Sequence, residues 1–397
     1  MPLDRSRARR QSAPQDAGAR RSIPNDWIPA QPGDPIQDID TPALILDLDK
    51  FEANLKRMSD FAAHARVRVR PHAKVHKCAE IARRQIAAFD AGICVQKLGE
   101  AEAMLAGDVT DILITSQVVG ERKMRRLARL ARAYAPARLG VCIDSVEVAG
   151  QLAAVCEAEE ARLEVYVDVD LGQNRSGVLS PEAAVELARV MVASPNLSLM
   201  GIHAFSNMAQ YRRGVPERRE ATDRAAARAA VVRDALLSAN LPCEVVCGGG
   251  TGSFLYEAAS GVYNEIHAGS FALMDVNYAR NEHDPAAPNF ECALFVLSCV
   301  VSMAEQRATL DAGLKAFSTD TGPPQPTFAG WRVRGVSEEH TVLMREDEQG
   351  MPVRLGDKAL LIPGRCDPTV NLHDWIVAVR KNAVEAVWPI DARGALY

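Results

Sequence analysis

The sequence predicts an α/β protein, a TIM-like (β/α)8 barrel followed by a smaller all-β domain, and two observations carry this prediction. From Thr41 onward, short β-branched runs alternate with helical segments rich in alanine, leucine and arginine. Strict alternation favours a parallel sheet, and eight such units close a barrel. After about Asn289 the chain changes to apolar strands joined by turns, with little helical periodicity, which is typical of a second, all-β domain.

Nine runs in the first region have the composition of strands, one more than a barrel needs. In chain order they are ALILDLD, VRVRP, AGICVQK, DILITS, RLGVCID, LEVYVDVD, LMGIHAF, CEVVCGGG and YNEIHAGSFAL. Segments such as ERKMRRLARLARAYA, with apolar residues at helical spacing, separate them. We therefore expect the barrel over residues 39–285 and the β domain over residues 286–397.

Residues 1–38 are expected to form a disordered tail. Their first part contains six arginines together with Asp4 and Asp16, and it lacks the apolar stretch of a secretory signal. A transit peptide is the alternative interpretation of this segment.

The composition excludes several classes of partner. A net charge of -5 and a pI near 6.0 offer no basic surface to nucleic acid, and no apolar run approaches the ~18 residues of a membrane span. The nine cysteines form no CxxC pair, which argues against a zinc knuckle and against a disulfide framework. These features indicate a cytoplasmic protein that acts on a small molecule.

Polar clusters of the barrel region fall where predicted strands end. Lys74 follows VRVRP within the segment RPHAKVHK, Arg175 follows VYVDVD, and His203 lies in GIHAF. Because the carboxyl ends of barrel strands carry the chemistry, we expect these side chains to belong to one site. A buried lysine is costly as a charge, so Lys74 would be paired or would form a Schiff base, whereas a solvated lysine is the alternative.

Two small-residue turns predict a phosphate site. The segment GGGTGS, from Gly248 to Ser253, offers consecutive backbone N–H groups and two hydroxyls ahead of a helix. It does not match GxxxxGK[ST], which argues against a nucleotide triphosphate. A second turn, Gly269 and Ser270 in HAGSF, closes the next strand, and barrels often build phosphate sites from their last two loops. A phosphate nest and a Schiff-base lysine in one barrel mouth jointly indicate pyridoxal phosphate.

Six long motifs resemble one group of enzymes. They are TPALILDLD, RPHAKVHKC, VDVDLGQNRSGV, VCGGGTGS, YNEIHAGSFALMDVNY and PGRCDPTVNLHDW. The chain resembles, from about Thr41 to Gly394, the D-threonine aldolase and 3-hydroxy-D-aspartate aldolase group of alanine-racemase-type (fold type III) pyridoxal phosphate enzymes, which includes D-serine dehydratases. The resemblance implies a homodimer, and it implies that the first strand, residues 43–49, pairs with the β domain.

The resemblance also implies roles for the clustered residues. Lys74 would bind the cofactor aldehyde, Lys77 would be a surface lysine, and Arg175 would lie near the phenolic oxygen. His72 and Gln96 would line the site. The phosphate would be held by the residues of the two turns, which are Gly249, Gly250, Thr251, Gly252, Ser253, Gly269 and Ser270.

Two positions depart from the family pattern. The family's aldolases bind a divalent metal through the histidine and aspartate of PGHCDPTVN, and this chain has PGRCDPTVN, with Arg365 in place of the histidine and Asp367 retained. A guanidinium has no lone pair for a metal, so a divalent metal is uncertain unless His340 or His373 joins Asp367. Ser206 stands near the position where related aldolases are expected to carry a histidine or glutamine. His203, nearby on the strand, is then the candidate base for the β-hydroxyl proton. If His203 only packs in the core, that base is unassigned.

The leading functional hypothesis is a lyase that cleaves the Cα–Cβ bond of a D-configured β-hydroxy amino acid, giving glycine and an aldehyde or glyoxylate. Arg365 would replace the metal with a fixed positive charge, or grip a second carboxylate of the substrate. A metal-independent racemase, epimerase or dehydratase with the same cofactor is the alternative. A non-catalytic pyridoxal phosphate carrier is a third hypothesis, which the retained β domain disfavours.

Overall fold

The structure is a computed structural model that describes residues 28–347 and 350–397. The disorder predicted for residues 1–27 lies outside the described residues. None of the described helices is long and apolar enough to cross a membrane.

Residues 28–38, assigned to the same tail, are ordered against the second domain, and the prediction of disorder there is wrong. The N–H of Gly33 donates to the carbonyl of Val384 over 2.8 Å. Ala30 and Ile39 are buried in a small apolar cluster with that domain. Burial of these side chains, which sequence periodicity did not reveal, holds the segment.

After a first strand, β1 (Ala43–Asp47), eight parallel strands form the barrel sheet. They are β2 (Arg68–Val69), β3 (Ile93–Val95), β4 (Asp111–Ile114), β5 (Arg138–Ile143), β6 (Leu163–Asp168), β7 (Leu197–Ala204), β8 (Val245–Gly248) and β9 (Glu265–Ile266). Their order is β2-β9-β8-β7-β6-β5-β4-β3. A parallel bridge between His72, just beyond β2, and Cys94 in β3 joins the two edges. The predicted eight-stranded parallel architecture is therefore confirmed.

Helices connect the barrel strands as the alternation predicts. They are α1 (Leu48–Ala65), α2 (Ala79–Phe89), α3 (Leu98–Ala106), α4 (Glu121–Ala133), α5 (Val146–Ala158), α6 (Pro181–Val192), α7 (Asn207–Gln210), α8 (Val215–Ser238), α9 (Phe254–Ala259) and α10 (Val276–Ala279). Local chemistry fixes where several begin: Ser180 caps α6 by accepting from the N–H of Ala183, and Pro181 follows at the first helical position. Such caps fix the residue at which a helix begins, and therefore the length of the loop that precedes it at the strand end.

The second domain is a nine-stranded sheet. Besides β1 it contains β10 (Leu294–Ala304), β11 (Arg307–Leu310), β12 (Gln325–Pro326), β13 (Trp331–Val336), β14 (Thr341–Arg345), β15 (Lys358–Ile362), β16 (Trp375–Arg380) and β17 (Ala383–Pro389), with the short helix α11 (Cys366–Val370) between β15 and β16. β1 pairs antiparallel with β10 and parallel with β16, so it lies outside the barrel. The surplus strand of the sequence therefore belongs to this sheet.

Backbone hydrogen bonds join the two domains beside the barrel mouth. The N–H of Val276 donates to the carbonyl of Pro363 and that of Asn277 to the carbonyl of Gly364, each over 3.1 Å. The buried carboxylate of Asp275 accepts from the N–H of Cys366 at 3.1 Å. These contacts position α11, which carries Asp367, next to the barrel.

Candidate active site

A pocket at the carboxyl ends of the barrel strands gathers most of the predicted site residues. The predicted residues that line it are His72, Lys74, Gln96, Arg175, His203, Gly249, Gly250, Thr251, Gly269 and Ser270. Thr115, Phe205, His267 and Tyr278 also line it and were not predicted. Four predicted residues, Gly252, Ser253, Arg365 and Asp367, are not part of its lining.

The two lysines of RPHAKVHK have opposite environments. Lys74 is half-buried, and its Nζ lies 6.0 Å from the centroid of the Phe205 ring. Within the described part of the chain, this Nζ has no hydrogen-bond or ion-pair partner. Lys77 is buried and its Nζ lies 2.5 Å from a carboxylate oxygen of Glu100. The prediction of a surface lysine at position 77 is therefore wrong, because that charge is neutralised within the fold, whereas the Lys74 amine is free to react.

His72 holds the backbone turn that presents Lys74. Its Nδ1 accepts from the N–H of Lys74 at 3.3 Å, and its Nε2 lies 2.9 Å from the hydroxyl of Thr115. Because Nδ1 accepts, Nε2 carries the proton and donates to that hydroxyl. Burial, together with the charge of Lys74, lowers the pKa of His72 well below its usual range, so the ring is neutral. Both ring nitrogens are engaged, which leaves His72 a structural role.

His203 forms a buried pair with Asp168. Its Nδ1 lies 2.8 Å from one carboxylate oxygen of Asp168. The other oxygen of that carboxylate accepts from Gln117 at 2.6 Å and from Ser176 at 3.1 Å. Burial alone would raise the pKa of Asp168, but these hydrogen bonds and the charge of His203 lower it. An ionised Asp168 accepts the hydrogen bond from Nδ1 of His203, and Nε2 is left without a hydrogen-bond partner among the described residues.

His267 lies beside His203, with ring centroids 5.6 Å apart and nearly parallel rings. Its Nε2 lies 3.0 Å from a carboxylate oxygen of Glu265, and its Nδ1 is buried without a hydrogen-bond partner. Burial lowers the pKa of His267 to about 4, although the hydrogen bond to Glu265 opposes the shift. The pocket therefore contains a second neutral histidine with one free nitrogen.

The two predicted turns form a cradle of backbone donors. Within residues 28–347 and 350–397, the N–H groups of Gly249, Gly250, Thr251, Gly269 and Ser270 have no acceptor. The hydroxyl of Thr251 accepts from the N–H of Phe271 at 2.9 Å, which ties the two turns together. A Cβ at Gly269 would lie 2.5 Å from the carbonyl oxygen of His72, so only glycine fits there. Converging free N–H groups of this kind suit a phosphate dianion.

Gly252 and Ser253, predicted to bind phosphate, face the other side of the loop. The N–H of Gly252 donates to the side-chain carbonyl of Gln210 at 2.8 Å. The hydroxyl of Ser253 bonds to the amide of Gln210 and, over 2.7 Å, to the carboxyl group of Glu257. These groups are already paired within the fold, so the assignment of Gly252 and Ser253 as phosphate ligands stays a prediction that these contacts do not favour. They brace the cradle from behind.

Glu257 lies directly behind the cradle and is buried. Burial raises its pKa to about 8 despite the hydrogen bond from Ser253, so the group is mostly protonated at neutral pH. Its Oε2 has no hydrogen-bond partner among the described residues. A Cβ built on Gly249 would lie 3.1 Å from this carboxyl group, which shows how close it approaches the loop.

Arg365 and Asp367 lie in the seam between the domains, which we define as Asp275, Asp320, Arg365 and Asp367. The guanidinium of Arg365 lies 3.1 Å from a carboxylate oxygen of Asp320 and 3.9 Å from one of Asp367. Burial would lower the pKa of Arg365, but the charge of Asp367 and the bond to Asp320 raise it above its usual value. Arg365, predicted to be catalytic, thus pairs with carboxylates outside the lining of the pocket.

Two tyrosines lie between the seam and the pocket. The rings of Tyr211 and Tyr278 have centroids 5.3 Å apart, and Tyr278 lines the pocket. Burial raises the pKa of Tyr211, while the nearby charge of Arg365 lowers it in part. The charge of Arg365 therefore acts on Tyr211, which packs against the pocket residue Tyr278.

The metal ligands considered from the sequence do not converge. His373 donates through Nε2 to the carbonyl of Ala316 over 2.7 Å, and His340 is exposed. Within the described ranges, the one group of three or more ligand side chains within reach of a shared ion is Cys247, Glu265 and His267. The seam offers Asp367 no histidine partner of that kind.

A phosphorylated aldehyde fits the pocket, since an unpaired lysine amine faces a cradle of unpaired N–H groups. This combination is the requirement of a pyridoxal phosphate enzyme on a (β/α)8 barrel. Residues 46–276 match the family model described as alanine racemase, N-terminal domain, and residues 293–379 match a putative serine dehydratase domain. The chain therefore belongs to the alanine-racemase-type family, as the sequence motifs indicated.

Its relatives include named aldolases. The chain is 41% identical over 379 residues to a 3-hydroxy-D-aspartate aldolase of Paracoccus denitrificans (93% of this chain, 96% of the relative). It is 42% identical over 372 residues to a D-threonine aldolase of an Arthrobacter species (92% and 96%). The crystal structure of D-threonine aldolase from Filomicrobium marinum superposes with a TM-score of 0.90 at 41% identity, covering 93% of this chain and 100% of that one.

Proposed function

We propose that the chain is a pyridoxal phosphate-dependent lyase that cleaves the Cα–Cβ bond of a D-configured β-hydroxy amino acid. The substrate is of the D-threonine or 3-hydroxy-D-aspartate type, and the products are glycine and an aldehyde or glyoxylate. The observation that carries the proposal is the unpaired Lys74 amine in the same pocket as the Gly249 to Thr251 cradle. The two aldolase relatives, each about as similar to this chain as the other, support this class of substrate.

The chain supplies the binding groups for the cofactor. Lys74 would bind the aldehyde, the cradle would hold the phosphate, and the exposed Arg175 would present its guanidinium to the phenolic oxygen. Gln96 and Phe205 both line the pocket, and the Phe205 ring lies near the Nζ of Lys74. When bound, the cofactor supplies a sink for the electron pair that remains on Cα after the bond breaks.

We assign the removal of the β-hydroxyl proton to His203. Of the pocket histidines, His72 has both nitrogens engaged, whereas His203 keeps a free Nε2 and is oriented by Asp168. An imidazole that is held by a carboxylate at one nitrogen and open at the other has the arrangement of a general base. A His203→Gln variant should lose activity by about 10²-fold to 10⁴-fold while it retains the cofactor.

In the seam, we propose that Arg365 supplies the positive charge that a divalent metal supplies in related aldolases. The guanidinium holds Asp367 and Asp320 without any ion. A second substrate carboxylate would have to displace Asp320, so charge stabilisation of the β-oxygen is favoured over a grip on a dicarboxylate. Activity without added metal is the resulting prediction.

A dehydratase, which removes water from the substrate, or a racemase, which removes the Cα proton, would use the same pocket. One relative favours the dehydratase. A D-threo-3-hydroxyaspartate dehydratase from a Delftia species superposes with a TM-score of 0.80 at 26% identity, covering 90% of this chain. A dehydratase would release ammonia and a keto acid, and a racemase would release neither product. A non-catalytic pyridoxal phosphate carrier would convert none of these amino acids.

A product screen tests the proposal. The purified protein, loaded with pyridoxal phosphate, is given D- and L-threonine and both enantiomers of 3-hydroxyaspartate, with and without chelator. We expect glycine with acetaldehyde or glyoxylate from the D-enantiomers alone. Ammonia release, racemisation without glycine, or a preference for the L-enantiomers would contradict it.

We also propose a homodimer in a reducing cytoplasm. All nine cysteines are free thiols, which suits that compartment. The dimer follows from the family resemblance, and its sites would lie near the interface. Sedimentation as a fully active monomer, independent of concentration, would contradict the dimer.

A further inference from the structure

We propose that Glu257 is a positioning residue for the cofactor phosphate. In its neutral, protonated form it backs the cradle of Gly249, Gly250 and Thr251, so that protonation of Glu257 and binding of a phosphate dianion in the cradle favour each other. This inference rests on the proposed function, since the phosphate belongs to the cofactor. It gives a proton-coupled role to a buried carboxyl group that the proposed chemistry does not use.

A one-way chain of hydrogen bonds orients this carboxyl group. The backbone N–H of Gly252 can only donate, so the side-chain atom of Gln210 that it contacts at 2.8 Å is the carbonyl oxygen. The amide nitrogen of Gln210 then donates to the hydroxyl oxygen of Ser253. The hydroxyl proton of Ser253 is left for Oε1 of Glu257, over 2.7 Å. Oε1 is therefore an acceptor, and the proton of the neutral acid resides on Oε2.

Oε2 of Glu257 faces the cradle. It is buried without a hydrogen-bond partner among the described residues, and it lies 3.1 Å from the position that a Cβ on Gly249 would take. Gly249 has a φ of +72°, a conformation that favours glycine, so no side chain separates the carboxyl group from this turn. The unpaired O–H is therefore close to the backbone of the cradle.

The elements around Glu257 bring no cation to pair with it within the described ranges. The helix α8 packs against α9 and carries Arg218 and Arg219. Arg218 donates to three backbone carbonyls, and Arg219 lies 3.4 Å from Asp284. Burial, together with the charge of Glu257, raises the pKa of Tyr263, which precedes β9, well above its usual range, so that phenol is neutral. An ionised Glu257 would be an unpaired buried charge, which explains why the acid form is favoured.

A phosphate in the cradle would act on this proton. A phosphate monoester carries close to two negative charges above neutral pH, and like charges close together disfavour ionisation of one another. Bound phosphate would therefore raise the pKa of Glu257 above its value in the free protein, about 8. Phosphate affinity is then greatest while Glu257 is protonated, and it falls as the pH rises through about 8.

The first test is the pH dependence of binding of pyridoxine 5′-phosphate, which has the phosphate but no aldehyde to react with Lys74. Its dissociation constant is measured for the cofactor-free native protein and for Glu257→Gln, whose side chain is neutral at every pH. From about pH 7 to about pH 9.5, the ratio of the native constant to the variant constant should rise by about tenfold. Titration of the ligand and of Lys74 affects both proteins, so the ratio isolates Glu257. A ratio that does not change with pH would overturn the proposal.

The second test needs no variant. Calorimetry at about pH 8.5, in buffers of different ionisation enthalpy, counts the protons taken up on binding. Pyridoxine 5′-phosphate should take up more protons than pyridoxine, which lacks the phosphate, by up to about one per site. The phosphate is already a dianion at this pH, so it does not supply the difference. Equal uptake with the two ligands would overturn the coupling.

These outcomes are separable from failure of the proposed function. If the native protein binds neither pyridoxine 5′-phosphate nor pyridoxal phosphate, the cofactor assignment and the present inference both fail. If both ligands bind, and the binding shows no dependence on Glu257 or on proton uptake, only the present inference fails.

Discussion

The barrel pocket and the seam differ in how their charges are matched. In the pocket, the Lys74 amine, the cradle N–H groups and the free nitrogens of His203 and His267 have no partner among the described residues. In the seam, the guanidinium of Arg365 is already held by Asp320 and Asp367. The pocket therefore has its binding groups open to a ligand, whereas the seam is largely neutralised from within.

This difference teaches which part of the site tolerates change. The pocket groups must meet a fixed cofactor, so each requires a particular residue type at a strand end. In the proposed mechanism the seam supplies a positive charge toward the β-oxygen, which a metal or an arginine can provide. An arginine at position 365 in place of the family's histidine is therefore compatible with the same reaction, provided that the positive charge remains at this position.

The largest loss of activity is expected from substitution of Lys74 in the pocket. Lys74→Ala should abolish the visible absorbance of bound pyridoxal phosphate and lower activity by at least about 10²-fold to 10⁴-fold, because no other free amine lines the described pocket. Absorbance spectra and glycine release measure both. A Lys74→Ala protein that retains the band would remove the basis for the comparison.

The neighbouring Lys77 should affect folding and leave the chemistry intact. Lys77→Met leaves Glu100 as a buried, uncompensated charge, which should lower the free energy of unfolding by about 3 to 5 kcal/mol. The visible band should persist. The matched control, Lys77→Met with Glu100→Gln, should recover much of the loss in urea unfolding, and no recovery would mean that packing rather than charge explains it.

A smaller effect is the pH dependence that Glu257 imposes behind the cradle. Its pKa rises from 4.5 in an unfolded chain to about 8 in the fold. The folded state therefore binds the extra proton, and its stabilising effect is lost as the pH rises from 4.5 through about 8, by at most about 1.4 kcal/mol per pH unit. Glu257→Gln should flatten this decline in urea unfolding between pH 5.5 and 8. An equally steep decline in the variant would assign it to another group.

Sequence patterns predicted the architecture because it depends on features that repeat. Alternation located the eight strands, and the strand ends located Lys74, His203 and the glycine turns. The alternation of residues 265 and 267 could also have placed Glu265 and His267 on one strand face, but Arg70, the ionic partner of Glu265, is distant in sequence.

Other features depend on contacts that no local pattern records. Lys77 looked like a surface residue because Glu100 lies one strand–helix unit away. Ser253 looked like a phosphate ligand because Gln210, which claims its hydroxyl, follows a different strand. The proposal that His203 is the base for the β-hydroxyl proton draws on its contact with Asp168, which no local sequence pattern records.

The central claim is that this pocket cleaves a D-β-hydroxy amino acid while Arg365 replaces the metal. Its most direct test measures glycine release from D-threonine and D-3-hydroxyaspartate by the native protein and by Arg365→His, after exhaustive chelation and again after manganese or magnesium is restored. We predict that the native protein forms glycine in chelator and gains little from metal, whereas Arg365→His depends on metal because an imidazole beside Asp367 completes a ligand pair. Native activity that disappears in chelator and returns with metal would contradict the account.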